Sequence, residues 1–177
     1  MTTAGPPAAP DPTRWGADDA VERLYAAHYR QLVRLAMLLL HDLGAAEEVV
    51  QDSFVAMHGR WGSLREPEKA LAYLRQSVVN RARSALRHRA VVARHPQTPP
   101  PDLPGVDEDA LATERRRRVF DALQQVSERQ REVLTLRYYL DLDEAGIAAA
   151  LGISRGAVKS HASRGAAALR TLLEERP

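Results

Sequence analysis

Eleven prolines punctuate this 177-residue chain, and nine of them fall in two clusters, four between Pro6 and Pro12 and five between Pro96 and Pro104. A proline ring removes a backbone donor and clashes with the preceding turn, so no helix runs through either cluster. Two proline-poor stretches remain, 18–94 and 107–175. Apolar residues return in both at helical spacing, and neither shows the alternation of strands. The expected fold is all-α: two small helical domains joined by a flexible Pro-rich linker at 95–106, the C-terminal one a helix-turn-helix. Residues 1–17 are expected to form a disordered tail.

Hydrophobic residues make up 45% of the chain, enough to seal cores in two small domains. The net charge of +2 is ordinary, so any charged partner has to be read from where charges sit. With no Cys, disulfide frameworks, thiol catalysis and Cys-type zinc sites are excluded. The longest apolar run, Leu35 to Leu40, is far short of a membrane span, and the proline-rich start lacks a secretory core. A cytoplasmic chain without membrane insertion is expected. Arginine outnumbers lysine 23 to 2 and alanine reaches 29, a bias that suits a GC-rich genome, so arginine spacing says more than its abundance.

In the first stretch Val21, Leu24, Tyr25, His28, Leu32, Leu35 and Leu39 define one helix, and Ala46, Val50, Phe54, Met57 and Trp61 define a second after a break at Gly44. His28, Met57 and Trp61 are expected in or beside the core, with no ligand role. A third helix after Pro67 buries Leu71, Leu74, Val78, Ala82 and Leu86. The second stretch opens on Asp107, Glu108 and Asp109, which suit a helix N-terminus. Val119, Leu123 and Val126 follow on one face. SERQ from Ser127 has the form of a capping box, and Asp141 with Glu144 repeats the pattern.

Ile147, Ala148, Leu151, Gly152, Ile153 and Val158 have the spacing of a helix-turn-helix, with Gly at the turn. On its second helix Arg155, Lys159, Ser160, Ser163 and Arg164 face away from Val158. Four basic residues and no acid lie between Gly152 and Leu173, so phosphate attraction runs along a helix shaped for a major groove. From Lys69 to Pro101 seven more Lys or Arg residues occur without an acid. There Tyr73, Gln76, Asn80, Arg83 and Arg87 form one polar stripe with an aromatic at its N-terminal end. Stacking plus guanidinium groups suits unpaired or distorted nucleic acid. The preceding helix has the opposite sign: four acids and no Lys or Arg from Asp42 to Asp52, with Glu47, Glu48, Gln51 and Asp52 off its core face. Acids repel DNA, so this face points to a protein partner. The run Arg115 to Arg118 encircles its helix and reads as solvated surface.

No Gly-rich phosphate loop, HExxH pairing or GxSxG occurs, and the six histidines lack ligand spacing. No enzyme activity, metal or cofactor is expected.

The segments LYAAHYRQLVRLAMLLLHDLGAAEEVVQDSFVAMHGRW, ALAYLRQSVVNRARSALRHR and LQQVSERQREVLTLRYYLDLDEAGIAAALGISRGAVKSHASRGAAALR together resemble group IV (extracytoplasmic function) sigma factors of the sigma-70 family, closest to the SigE-like actinobacterial group. The resemblance implies that 18–94 is sigma region 2, which binds core RNA polymerase and the −10 element, and that 107–175 is region 4, which reads the −35 element. Glu47, Glu48, Gln51, Asp52 and Phe54 match the polymerase-binding helix. Tyr73, Gln76, Asn80, Arg83 and Arg87 match the −10 helix. Ser63, Leu64 and Arg65 fall in the loop that captures a flipped non-template base, a step needed because a paired base hides its edge. Ser154, Arg155, Lys159, Ser160, Ser163 and Arg164 match the −35 recognition helix. The implied partners are the β′ clamp helices and β flap of the polymerase, promoter DNA and an anti-sigma factor. The chain departs from the family in having Tyr73 where Trp is frequent, and Ala157, His161, Ala162 and Gly165 where Thr, Arg, Leu and Ala are usual. A linker of 12 residues at about 3.1 Å each spans roughly 37 Å, against roughly 34 Å for one DNA turn. The residues themselves leave open a stand-alone helix-turn-helix regulator, or a helical bundle with catalytic carboxylates.

Overall fold

The computed structural model describes residues 16–92 and 110–174. The expected disordered tail, the flexible linker and the acids at 107–109 lie outside the described residues. Seven helices and no strand occur among those described: α1 (Ala17–Leu40), α2 (Leu43–Arg60), α3 (Ala70–Val92), α4 (Ala110–Gln125), α5 (Glu128–Tyr138), α6 (Glu144–Leu151) and α7 (Arg155–Glu174). None is long and apolar enough to cross a membrane.

Helix α1 buries Leu32, Leu35, Met37 and Leu39 and stops at His41, which takes the left-handed conformation (φ 55°) while its N–H donates to the Met37 carbonyl. The reversal comes before Gly44, where sequence periodicity places it, because Asp42 caps the next helix. Its Oδ1 accepts from the Ala45 N–H at 2.9 Å, which draws Gly44 into the first turn of α2. His41 therefore holds a conformation usually left to glycine, and its ring stacks on Phe120 with centroids 4.8 Å apart. Met57 and Trp61 are buried and His28 half-buried, as expected, whereas Tyr25 is 42% exposed. A 3-10 turn at Pro67–Lys69 leads into α3, which buries Leu74, Val78 and Ala82 and leaves Leu71 and Leu86 half-buried.

In the second half Ser127 holds the extended cap position of α5, but its hydroxyl makes no cap bond, so the expected capping box is open. The following cap falls at Asp143 instead of Asp141. Asp143 Oδ1 accepts from the Gly146 N–H at 2.7 Å, and Asp141 occupies the left-handed region at φ 52°. Gly152 makes the turn into α7 at φ 64°, a conformation that costs glycine nothing, and Ser154 Oγ accepts from the Ala157 N–H at 3.1 Å. Where α7 crosses α5, a Cβ on Gly165 would sit 3.0 Å from Gln130 Cβ and 3.1 Å from Leu134 Cδ1. Only a hydrogen fits there without movement of the neighbouring side chains.

One apolar cluster joins the halves. Leu32, Leu35, Met37 and Leu39 of α1 and Leu74 and Val78 of α3 belong to the same cluster as Phe120, Val133, Leu136, Ile147, Leu151 and Val158. A smaller cluster of Leu123, Val126 and Leu134 packs on Leu38, Leu169 and Leu172. Each fully buried Leu contributes about 1.5–3 kcal/mol, so the docking of the halves has a real apolar basis.

The Ala45 N–H, aided by Arg89 at 2.7 Å and opposed by burial, holds the Asp42 carboxyl below its ordinary value of 3.8. A depressed carboxyl contributes stability above its ordinary value and loses it as pH falls through the folded-state value. Asp42→Ala is expected to cost about 1 kcal/mol at pH 7. In urea denaturation series at several pH values, the gap between wild type and variant should close as pH drops below 3.8.

Candidate nucleic-acid interface

The two helices of the helix-turn-helix meet through Ile147, Leu151 and Val158, all at 2% exposure or less, and this packing fixes which face of α7 looks outward. Val158, Ala162 and Gly165 are buried, while Ser154, Arg155, Lys159, Ser160, Ser163 and Arg164 are exposed together along the opposite side. All six expected residues therefore share one open face. Arg164 Nε donates to the Ser160 carbonyl at 3.3 Å, which lays its guanidinium back along the helix. His161 is half-buried, and burial, with the charges of Arg164 and Arg129, pushes its ring below the ordinary histidine value.

Sequence spacing gave Glu144 a capping place and did not reveal its contact with the α7 cations. From the first turn of α6 its carboxylate meets Arg137 at 3.4 Å, Lys159 at 3.7 Å and Arg155 at 4.0 Å. The carboxylate is 26% exposed and both α7 cations are about two-thirds exposed, so water screens these contacts. They place one acid beside the two cations at the N-terminal end of α7.

The stripe on α3 is less open. Tyr73 is half-buried against the core, and Asn80 and Arg87 are exposed, with Arg87 donating to Ser84 Oγ at 2.9 Å. Gln76 Nε2 donates to Asn80 Oδ1 and to the Ala150 carbonyl, both at 3.1 Å. Arg83, 18% exposed, lies 3.1 Å from Glu132 Oε1, and Arg129 Nη1 donates to Glu132 Oε2 at 2.6 Å. Glu132 is 2% exposed. Burial pushes its carboxyl up, against the pull of Arg129 and Arg83. Two members of the stripe thus face the other half of the protein. Beside the stripe, Ser63 donates to the Arg60 carbonyl at 2.8 Å, Leu64 packs on the core, and Arg65 is exposed.

On α2, Glu48, Gln51 and Asp52 are exposed and Glu47 is half-buried. Asp52 Oδ2 accepts from Arg81 Nη1 at 3.4 Å. Phe54, grouped with these residues by resemblance, is 4% exposed and packs 5.1 Å from the Tyr25 ring. Its i+4 spacing from Val50 belongs to the core face, so it supports the acidic surface from beneath. The apolar groups that do reach solvent near it are Val55, 71% exposed, and Tyr25, which stacks on Tyr29 at 4.4 Å.

Residues 24–91 match the family pattern "Sigma-70 region 2" and residues 116–169 match "Sigma-70, region 4". The RNA polymerase sigma-E factor of Streptomyces avermitilis is 33% identical over 147 residues, 82% of this chain and 80% of that protein. The RNA polymerase sigma factor CarQ of Myxococcus xanthus is 31% identical over 166 residues, covering 92% and 94%. The ECF RNA polymerase sigma factor SigL of Mycobacterium tuberculosis is 34% identical over 160 residues, covering 86% and 88%. Among solved structures, the sigma factor RpoE in complex with the anti-sigma factor NepR from Bartonella quintana superimposes with a TM-score of 0.69 at 22% identity, covering 88% of this chain and 98% of that one. CnrH in complex with the cytosolic domain of CnrY gives 0.63 at 25% identity, covering 94% and 100%.

Removing the acid from between two guanidinium groups leaves them facing each other with little water. Glu132→Ala is therefore expected to destabilise the chain by about 1–3 kcal/mol. Arg129→Ala, at a more exposed partner, should cost less. Urea denaturation followed by circular dichroism checks both.

Proposed function

Because this chain belongs to the extracytoplasmic function sigma factors of the sigma-70 family, we propose that it binds core RNA polymerase, reads −35 and −10 promoter elements with separate faces, and assists melting at the −10 element. The observation that supports this division most directly is the grouping of six polar and cationic residues on the outward face of α7 immediately after the Gly152 turn. An α-helix fits the major groove. Arg155, Lys159 and Arg164 can donate to guanine O6 and N7 or to phosphates, and Ser154, Ser160 and Ser163 can contact either.

At the −10 element, Tyr73, Gln76, Asn80, Arg83 and Arg87 are assigned to the stacking, amide and backbone contacts that hold an opened strand. Ser63, Leu64 and Arg65 are assigned to the loop that receives a flipped base. Glu47, Glu48, Gln51 and Asp52 are assigned to the β′ clamp helices, with Phe54 supporting them from the core. Region 4 also takes the β flap as a partner, and an anti-sigma factor is expected to control the chain. It works in the cytoplasm, where the polymerase is, as a DNA-binding initiation factor without an active site of its own. The division at 18–94 and 107–175 is assigned on the same basis.

Asp52→Arg reverses an exposed charge and should lower co-elution with core polymerase at least about tenfold while leaving helicity intact. Arg155→Ala and Lys159→Ala are expected to weaken upstream recognition, by about 1–3 kcal/mol wherever the side chain reads a base. Binding to a promoter duplex, measured for each variant, checks this. Asn80→Ala should reduce permanganate reactivity of the −10 region at equal promoter occupancy. A folded chain that does not bind core polymerase and footprints duplex DNA alone, with Asp52→Arg leaving that function intact, would establish a stand-alone regulator instead.

A further inference from the structure

Three helix ends converge beside the cationic face of α7, and one acid stands among their cations. Arg137 is in the last turn of α5, Glu144 in the first turn of α6, and Arg155 and Lys159 in the first two turns of α7. The first two placements suit the helix dipoles, a cation at a C-terminal end and an acid at an N-terminal end. Arg155 and Lys159 go against them. They bring positive charge to the positive end of α7, whose first turn holds no acid of its own. Glu144 supplies that acid from the neighbouring helix. Its Oε1 takes Arg137 at 3.4 Å, and its Oε2 lies 3.7 Å from Lys159 Nζ and 4.0 Å from Arg155 Nη2. The cap of α6 does not need this side chain, since Asp143 accepts from the Gly146 N–H. Arg164, more than two turns along from Arg155, lies outside the cluster, and among the described residues no carboxylate pairs with it.

We propose that Glu144 is a specificity-determining residue for duplex recognition by α7: without touching a base itself, it positions Arg155 and Lys159 over the groove and withholds them from the phosphates. The proposal rests on the assignment of α7 to the −35 element. A cation that swings out to a phosphate gains the same energy at every sequence, so each such contact raises affinity without raising discrimination. Glu144 opposes that swing, because a side chain moving to the DNA backbone has to leave the carboxylate. Ion contacts this hydrated add little to folding stability. Their number nevertheless decides how many cations are free for contacts that carry no sequence information. Arg137, 30% exposed against 69% for Arg155 and 67% for Lys159, holds the carboxylate from the protein side. Glu144 thus keeps an anchor of its own when the two α7 cations meet DNA.

The test uses holoenzyme assembled from core polymerase and the full chain, with two duplexes of equal length: a promoter fragment mapped from the starts the chain directs, and the same fragment with its upstream box scrambled. Glu144→Gln keeps the size of the side chain and removes its charge. It is expected to raise affinity for the scrambled duplex at least about fivefold and for the intact promoter less than about twofold, so the preference between them drops by more than half. On the scrambled duplex the slope of log K against log salt should steepen by about 0.9 for each cation released to a phosphate. Glu144→Asp, which keeps the charge, should recover at least half of the lost preference. With Arg155→Ala and Lys159→Ala already in place, Glu144→Gln should leave the preference unchanged, whereas with Arg164→Ala in place it should have its full effect. Equal gains on both duplexes, or no change on either, overturn the proposal. So does a full effect where Arg155 and Lys159 are absent, or a Glu144→Asp protein as indiscriminate as Glu144→Gln. The wild-type holoenzyme reports separately on the reading beneath. If it does not distinguish the two duplexes, the −35 assignment falls and the proposal with it; if it does and Glu144→Gln matches it, only the proposal falls.

Discussion

The sealing of the C-terminal half of α1 is the constraint on which the rest of the structure depends. Leu32, Val33, Leu35, Ala36, Met37, Leu39 and Leu40 are all buried, which is more of the helix circumference than one neighbouring face can cover. A helix apolar on most sides has to be surrounded. Helices α2 and α3 cover one side of α1, and α4 and α5 approach the other through Phe120, Val133 and Leu136. The two halves therefore share an apolar cluster, and the polar contacts between them are set at its margins. Without that shared burial, the Arg83–Glu132 pair would be an exposed ion contact of little consequence.

Two outward helix faces carry opposite dominant signs, and packing fixes which way each one points. The acidic side of α2 lies opposite Val50, Phe54 and Met57, which fix its rotation by their burial. The cationic side of α7 lies opposite Val158 and Ala162. A net charge of +2 conceals both. Surfaces of opposite sign on separate helices suit a protein that touches a polyanion and another protein at once, because each surface repels the wrong partner as well as attracting the right one. The local pairs Arg81–Asp52 and Glu144 with Arg155 and Lys159 hold these side chains loosely, since all are well hydrated on at least one side.

Much of this was legible in the residues. Period-3.6 repeats locate α1, α2 and α3, and a glycine flanked by Leu151 and Ile153 locates the turn before α7, because these signals are local and the core satisfies them without conflict. Boundaries were less legible. Gly44 carries the compositional mark of a break, yet the Asp42 cap outcompetes it, and Asp143 displaces Asp141 for the same reason. Spacing gives Phe54 to the core face with Val50, and its 4% exposure agrees; only the family resemblance grouped it with the acidic surface. The polar contacts between halves had no local sequence signal. Gln76 and Ala150 are 74 positions apart, and Gln124 and Leu38 are 86 apart. The one available hint was the run from Leu35 to Leu40, too apolar for a helix with only one covered face.

As a sigma factor, this chain gives promoter selectivity to a polymerase that lacks it. The most direct measurement is transcription of fragmented genomic DNA by core polymerase with and without the purified chain, with the 5′ ends of the transcripts sequenced. The account predicts a set of starts that appears only with the chain and shares two sequence boxes upstream, one near −35 and one near −10. Transcript ends that are the same with and without the chain, from a protein shown to be folded and added in excess, would contradict it.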